Sequence, residues 1–131
     1  MSSVIPMLWV QEMVRSVRFY EDVMGFELQG EEPADRLDYA SLQRGDVHLM
    51  LSKLGSTSFP GWRMMDVAAD RRGTGGAVSF YIEAGDLAEE YARAKRAGAT
   101  IVDPISERPW GQSEFVVADP DGFWWAVWKQ S

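Results

Sequence analysis

The chain has no cysteine and one histidine, His48. Without cysteine there is no disulfide framework and no thiolate-held metal. With one imidazole, a histidine-based metal shell cannot close unless carboxylates supply the other donors. No apolar run is long enough to span a bilayer. The opening residues, Met1-Ser2-Ser3-Val4-Ile5-Pro6, lack the basic-then-apolar order of a signal peptide. These absences point to a cytoplasmic protein with no membrane partner. Positive charge is also scarce: 13 Lys and Arg stand against 20 Asp and Glu, a formal net charge of −7. Nucleic acid, which needs concentrated Lys and Arg, is therefore not an expected partner. An acidic surface serves solubility, and its field also attracts cationic ligands.

What is present is an ordinary globular composition, 46% hydrophobic and 25% charged over 131 residues. That length is most economically one domain, residues 1–131, with one good core. Residues 4–10 read as a first strand with Pro6 near its start. Residues 13–24 read as a helix, because Met13, Ser16, Val17, Tyr20, Val23 and Met24 recur on one face and Gly25 follows as a stop. Short strands are expected at 26–29, 37–43 and 47–53, the last two around Arg44-Gly45-Asp46. Residues 54–75 form an irregular link that still holds Phe59, Trp62, Met64 and Met65, either as a cap on the core or as a pocket wall. Beyond it the pattern predicts a strand over 76–82 and a helix from a capping box, Asp86 with Glu89, to about Ala97. Strands at 100–102, 114–118 and 123–129 follow, the last two joined by Asp119-Pro120-Asp121-Gly122, a strong turn.

The order strand–helix–strand–strand–strand thus occurs twice. Residues 39–53 also overlay residues 115–129 without a gap at an offset of 76. A period this long indicates two duplicated modules, about 4–53 and 76–129, rather than a solenoid.

The residues that carry this pattern are Arg15-Ser16-Val17-Arg18-Phe19-Tyr20 through Met24-Gly25-Phe26, Leu42-Gln43-Arg44-Gly45-Asp46, Asp86-Leu87 with Tyr91, Ala97-Gly98-Ala99, Pro109-Trp110-Gly111 with Glu114-Phe115, and Asp119-Pro120-Asp121-Gly122. In order and spacing they resemble the vicinal-oxygen-chelate superfamily, which holds glyoxalase I, extradiol dioxygenases, fosfomycin resistance enzymes and bleomycin resistance proteins. The resemblance implies an α+β fold: two tandem βαβββ modules forming a cup-shaped mixed sheet, with helices on the outer face. It also implies four metal-ligand positions, which fall here on Ile5, Met50, Ala77 and Ala126. None of these carries an imidazole or carboxylate. The expectation is therefore no metal and no other cofactor, and a protein that binds rather than transforms its ligand. In this the chain is closest in character to the metal-free bleomycin resistance proteins.

Strand alternation then sorts the wall of the cup. Phe123, Trp125 and Val127 match the apolar face of the first hairpin and should lie under the helices. Trp124, Ala126 and Trp128 take the other face, as do His48, Met50 and Ser52, then Ala77, Ser79 and Tyr81, and Ile5, Met7 and Trp9. The candidate ligand-binding residues are Trp9, His48, Met50, Trp62, Ser79, Tyr81, Trp110, Trp124 and Trp128. Flat rings stack on planar heteroaromatics and attract cations. The expected ligand is thus a planar, cationic antibiotic of the bleomycin type or a similar small molecule. The resemblance further implies a two-fold homodimer. The alternative is a metal-dependent glyoxalase-like lyase or isomerase, or a dioxygenase, with other ligands such as His48 with Glu83 or Glu114.

Overall fold

Residues 3–54 and 78–131 are described by a computed structural model. Trp62, Phe59, Met64, Met65 and Ala77 lie outside the described residues. The first unit contains β1 (Met7–Val10), α1 (Met13–Asp22), β2 (Glu27–Leu28), a 3-10 turn (Ala34–Arg36), β3 (Tyr39–Arg44) and β4 (Val47–Lys53). The second contains β5 (Ser79–Glu83), α2 (Leu87–Arg96), β6 (Thr100–Glu107), β7 (Gln112–Ala118) and β8 (Trp124–Gln130). Each carries a four-stranded mixed sheet, ordered β1-β4-β3-β2 in one and β5-β8-β7-β6 in the other. The first and last strands of each unit pair in parallel, and the remaining pairs are antiparallel. This is the expected α+β arrangement of two tandem βαβββ modules.

In the first unit Leu8, Val10, Ala40, Leu42, Leu49 and Leu51 share one sheet face, and none is more than 4% exposed. The apolar stripe of α1, Met13, Val17 and Tyr20, is equally buried. Tyr20 meets Phe26 edge-on at 6.0 Å between ring centroids. In the second unit Ile82, Phe115, Val117, Trp125 and Val127 play the same part. Trp125 stacks on Phe80 at 4.8 Å, and Tyr91 of α2 packs on Phe115 at 5.0 Å.

Several elements differ from their expected extents. β1 begins at Met7, and Val4 and Ile5 before it are 91% and 40% exposed. Pro6 has no N–H to donate; its carbonyl alone joins the ladder, accepting from Met50 N at 2.9 Å. β6 is eight residues long rather than three and runs through Pro104. It can do so because it is an edge strand with register shifts between Ile101 and Asp103 and between Asp103 and Ser106, where a missing donor is tolerated. The capping box of α2 is also rewired. Asp86 accepts from Glu89 N at 3.1 Å as expected, but the return bond comes from Glu90, whose Oε2 accepts from Gly85 N at 2.8 Å. Glu89 instead pairs with Arg96 at 3.0 Å.

The gapless overlay of the two hairpins fails by one residue. β4 and β8 do correspond at an offset of 76, with Leu49 and Leu51 in the places of Trp125 and Val127. In β3, however, the buried pair Ala40 and Leu42 corresponds to Phe115 and Val117, an offset of 75. The turns account for the slip. The first hairpin closes in two residues, Gly45-Asp46, with Gly45 at φ 57°, the positive angle a tight two-residue loop requires at its first position. The second needs five, from Asp119 to Phe123 between the paired Ala118 and Trp124. Because side chains alternate, the slip moves Tyr39 off the core position of Phe115 and onto the opposite face, where its counterpart is Glu114.

Candidate ligand-binding site

On the sheet face away from the core, the second unit gathers three rings. β5 contributes Ser79 and Tyr81, and β8 contributes Trp124, Ala126 and Trp128. The register sets Ser79 beside Trp124, Tyr81 beside Ala126 and Glu83 beside Trp128. The two indoles stand four residues apart on one strand, about 13 Å between Cα atoms, with Ala126 between them. Tyr81 is 60% exposed and Trp124 37%, Trp128 is half-buried, and Ala126 is buried. Trp110, 63% exposed, stands on the loop between β6 and β7, where Gly111 takes φ 89°.

Beside these rings lies a polar array. Glu114 is on β7, directly across from Trp128, and is 3% exposed. Its Oε1 accepts from Gln112 Nε2 at 3.1 Å. Its Oε2 accepts from the Tyr81 hydroxyl at 3.4 Å and lies 3.7 Å from Arg108 Nε. Arg108 is held in turn by Asp103 and Ser106, each at 2.6 Å. Arg108 and Glu114 are not among the binding residues expected from the sequence. The signal for Glu114 was available: alternation along β7 puts Gln112, Glu114, Val116 and Ala118 on the ring-bearing face, and Glu114 is the charged member. Arg108 could not be found that way, because it precedes β7 and reaches the array through its side chain.

The corresponding face of the first unit is different in character. Met7 pairs with Met50 and Trp9 with Ser52, while Ser41 and Gln43 of β3 lie across from Met50 and His48. Trp9 is buried at 4% exposed, so its ring offers no open stacking surface. His48 is exposed, with Nε2 3.5 Å from Ser41 Oγ, and Met50 is half-buried.

The model of the Glyoxalase/Bleomycin resistance protein/Dioxygenase superfamily matches residues 4–127. The chain belongs to that superfamily. An uncharacterized protein of Mycobacterium bovis is 27% identical over 124 residues, spanning 93% of this chain and 79% of that one. Among solved structures, TioX from Micromonospora sp. ML1 superposes with a TM-score of 0.73 at 25% identity, covering 99% of this chain and 97% of that one. The bleomycin-binding protein of Streptomyces verticillus, complexed with copper(II)-bleomycin, superposes at 0.61 with 24% identity, covering 97% and 94%.

The superfamily's metal positions can be tested against the strand registers. Met50 and Ala126 are true equivalents: each is paired with the first strand of its unit, at Met7 and Tyr81. Those partners are 74 residues apart, so continuing the register gives Ile5 the counterpart Ser79 rather than Ala77. With either assignment the positions offer no imidazole or carboxylate, and they do not fit a divalent cation. Among the described residues, no group of three or more His, Cys, Asp or Glu could hold one. Nor, among the described residues, is any helix long and apolar enough to cross a membrane.

Proposed function

We propose that this member of the glyoxalase/bleomycin resistance superfamily sequesters a planar, cationic small molecule of the bleomycin type, without a metal of its own. The observation that carries the reading is the ring-bearing face of the second unit, where Tyr81, Trp124 and Trp128 flank Ala126, which the resemblance makes a vacant metal-ligand position. Indole and phenol rings offer large rigid area and a negative π-face to a planar cation. A net charge of −7 favours the approach of such a ligand. A solved relative of the same fold binds copper(II)-bleomycin, which supports the ligand class. Trp110 on its loop adds a further ring, and Ser79 a hydroxyl.

The reading includes a two-fold homodimer in the cytoplasm. β1 and β5 are edge strands, and the exposed apolar residues Val4, Ile5 and Val78 precede them. Light scattering on the eluted protein gives the oligomeric state directly.

The deciding experiment is titration of the intrinsic tryptophan emission with metal-free bleomycin and with copper(II)-bleomycin. Saturable quenching at micromolar or lower concentration is expected. Emission unchanged by both compounds overturns the ligand assignment. Stoichiometric zinc, nickel, manganese or iron in the purified protein overturns the metal-free reading in favour of a lyase, isomerase or dioxygenase.

A further inference from the structure

A buried carboxylate fixes the direction of one hydrogen bond on the ring-bearing face. Glu114, 3% exposed, is encircled by donors: Gln112 Nε2, Arg108 Nε and the Tyr81 hydroxyl. The guanidinium of Arg108 and the amide nitrogen of Gln112 can only donate, so Glu114 is the acceptor of the cluster. Tyr81 must therefore donate inward to Glu114 Oε2. A phenol has one proton and two lone pairs, so what Tyr81 has left to offer outward is acceptor capacity alone. Tyr81 as a residue is 60% exposed and its bond to Glu114 is only part-buried, which leaves the phenol edge open to a molecule lying on the same face.

We propose that Glu114, acting through Tyr81, makes this face selective for ligands that present an N–H donor at the edge of a planar ring system, such as a heteroaromatic carboxamide or amine. The inference rests on the proposed role of that face in ligand binding and adds the polarity of its recognition. An N–H aimed at the phenol oxygen completes its bonding. A carbonyl or ether oxygen in the same place meets lone pairs and loses its water without replacement, which is the costlier case. Glu114 itself touches no ligand. It is a positioning residue that sets which way the phenol proton points, and Arg108, clamped by Asp103 and Ser106, keeps the carboxylate in place.

The test uses a matched pair of planar cationic probes, an N-methylquinolinium carboxamide and its methyl ester, titrated calorimetrically against the full chain and two variants. The wild-type protein is expected to bind the amide about tenfold more tightly than the ester. Tyr81→Phe keeps the ring and removes the acceptor, so the two affinities should converge to within about twofold. Glu114→Gln supplies an amide able to donate to the phenol, which frees Tyr81 to turn its proton outward, and the preference should vanish or reverse. A merely structural Glu114 would weaken both probes equally and leave their ratio intact; that result overturns the proposal, as does a wild-type ratio near one. If Glu114→Gln fails to fold, the Tyr81→Phe ratio decides alone. Failure of both probes to bind any form overturns the ring face as a ligand site, and this proposal with it. Binding without discrimination overturns this proposal only.

Discussion

Asp119 is the residue whose loss should do most damage for its size. Its carboxylate, on a residue 4% exposed, closes the turn between β7 and β8 by accepting from the backbone N–H of Asp121 at 2.9 Å and of Phe123 at 2.8 Å. The backbone bonds Asp119 N to Phe123 O and Gly122 N to Asp119 O, at 2.8 and 2.9 Å, hold the same loop. In Asp119→Ala the two amides lose their acceptor. An orphaned buried donor costs about 1–3 kcal/mol, and water will recover part of that at a turn, so a net loss of about 2–4 kcal/mol is expected. Against a typical total of about 5–15 kcal/mol this is severe. For a chain of this size it corresponds to a fall in Tm of roughly 6–16 °C. Urea unfolding followed by far-UV circular dichroism gives the free energy, and an unchanged slope shows that the native state is otherwise intact. Asp119→Asn retains an oxygen in the acceptor position and should cost less than half as much. The reasoning is refuted if Asp119→Ala lies within about 0.5 kcal/mol of wild type. Equal damage from the two variants refutes it as well, because the negative charge rather than the pair of hydrogen bonds would then be responsible. The turn also matters for the candidate site, since it fixes the pairing of Ala118 with Trp124 and hence the face that Trp124 and Trp128 occupy.

Much of the architecture was legible in the residues. The helices announced themselves by spacing and by Gly25 and Gly98, and the hairpins by Gly-Asp and Asp-Pro-Asp-Gly. Alternation along β4, β5 and β8 placed Met50, Tyr81, Trp124 and Trp128 on the face they occupy. What was hidden depended on partners distant in sequence. β6 is expected at 100–102 and continues through Pro104 to Glu107, and the edge position and bulges that permit this are properties of the sheet. Glu90 displaced Glu89 as the return partner of the cap, a matter of side-chain reach at the first turn of α2. The one-residue slip between β3 and β7 was invisible to an ungapped overlay, because both turns are polar and only the pairing shows that one is longer. Trp9 read as a wall residue from alternation alone, which reports the face a side chain takes and not how far it is covered.

Leu49→Ala, at a fully buried position, should cost about 2–5 kcal/mol in urea unfolding. Gly45→Ala places a Cβ at φ 57° in the two-residue turn and should destabilise by about 1 kcal/mol, read as a drop in Tm of a few degrees. Trp124→Ala, which removes an indole 37% exposed, should weaken copper(II)-bleomycin binding about tenfold or more in a fluorescence titration, with a drop in Tm of several degrees from the covered part of the ring. Raising the ionic strength from about 0.01 to 1 M shortens the Debye length from about 30 to 3 Å, so stopped-flow association of a cationic ligand should slow markedly.

The duplication explains why the second unit is the stronger candidate for ligand contact. Aligned by sheet register, Tyr81 stands where the first unit has Met7, Trp124 where it has His48, Trp128 where it has Ser52, and Glu114 where it has Tyr39. Two copies of one scaffold therefore present the same strand geometry with different chemistry. One face carries thioether, hydroxyl and imidazole groups with a buried indole, Trp9, and the phenol of Tyr39; the other carries two indoles and a phenol tethered to a buried carboxylate. If the rings served packing alone, they would be expected at positions as deeply buried as Trp125. Tyr81 and Trp124 instead remain exposed, at 60% and 37%. Exposed aromatic surface costs free energy in water and is ordinarily retained where something covers it. Glu114 points the same way. A buried carboxylate that needs Arg108, Gln112 and Tyr81 to satisfy it is a poor device for stability, since an apolar residue such as its neighbour Val116 would serve the sheet as well. Its retention beside three rings is intelligible as a means of fixing the polarity of the one hydroxyl among them.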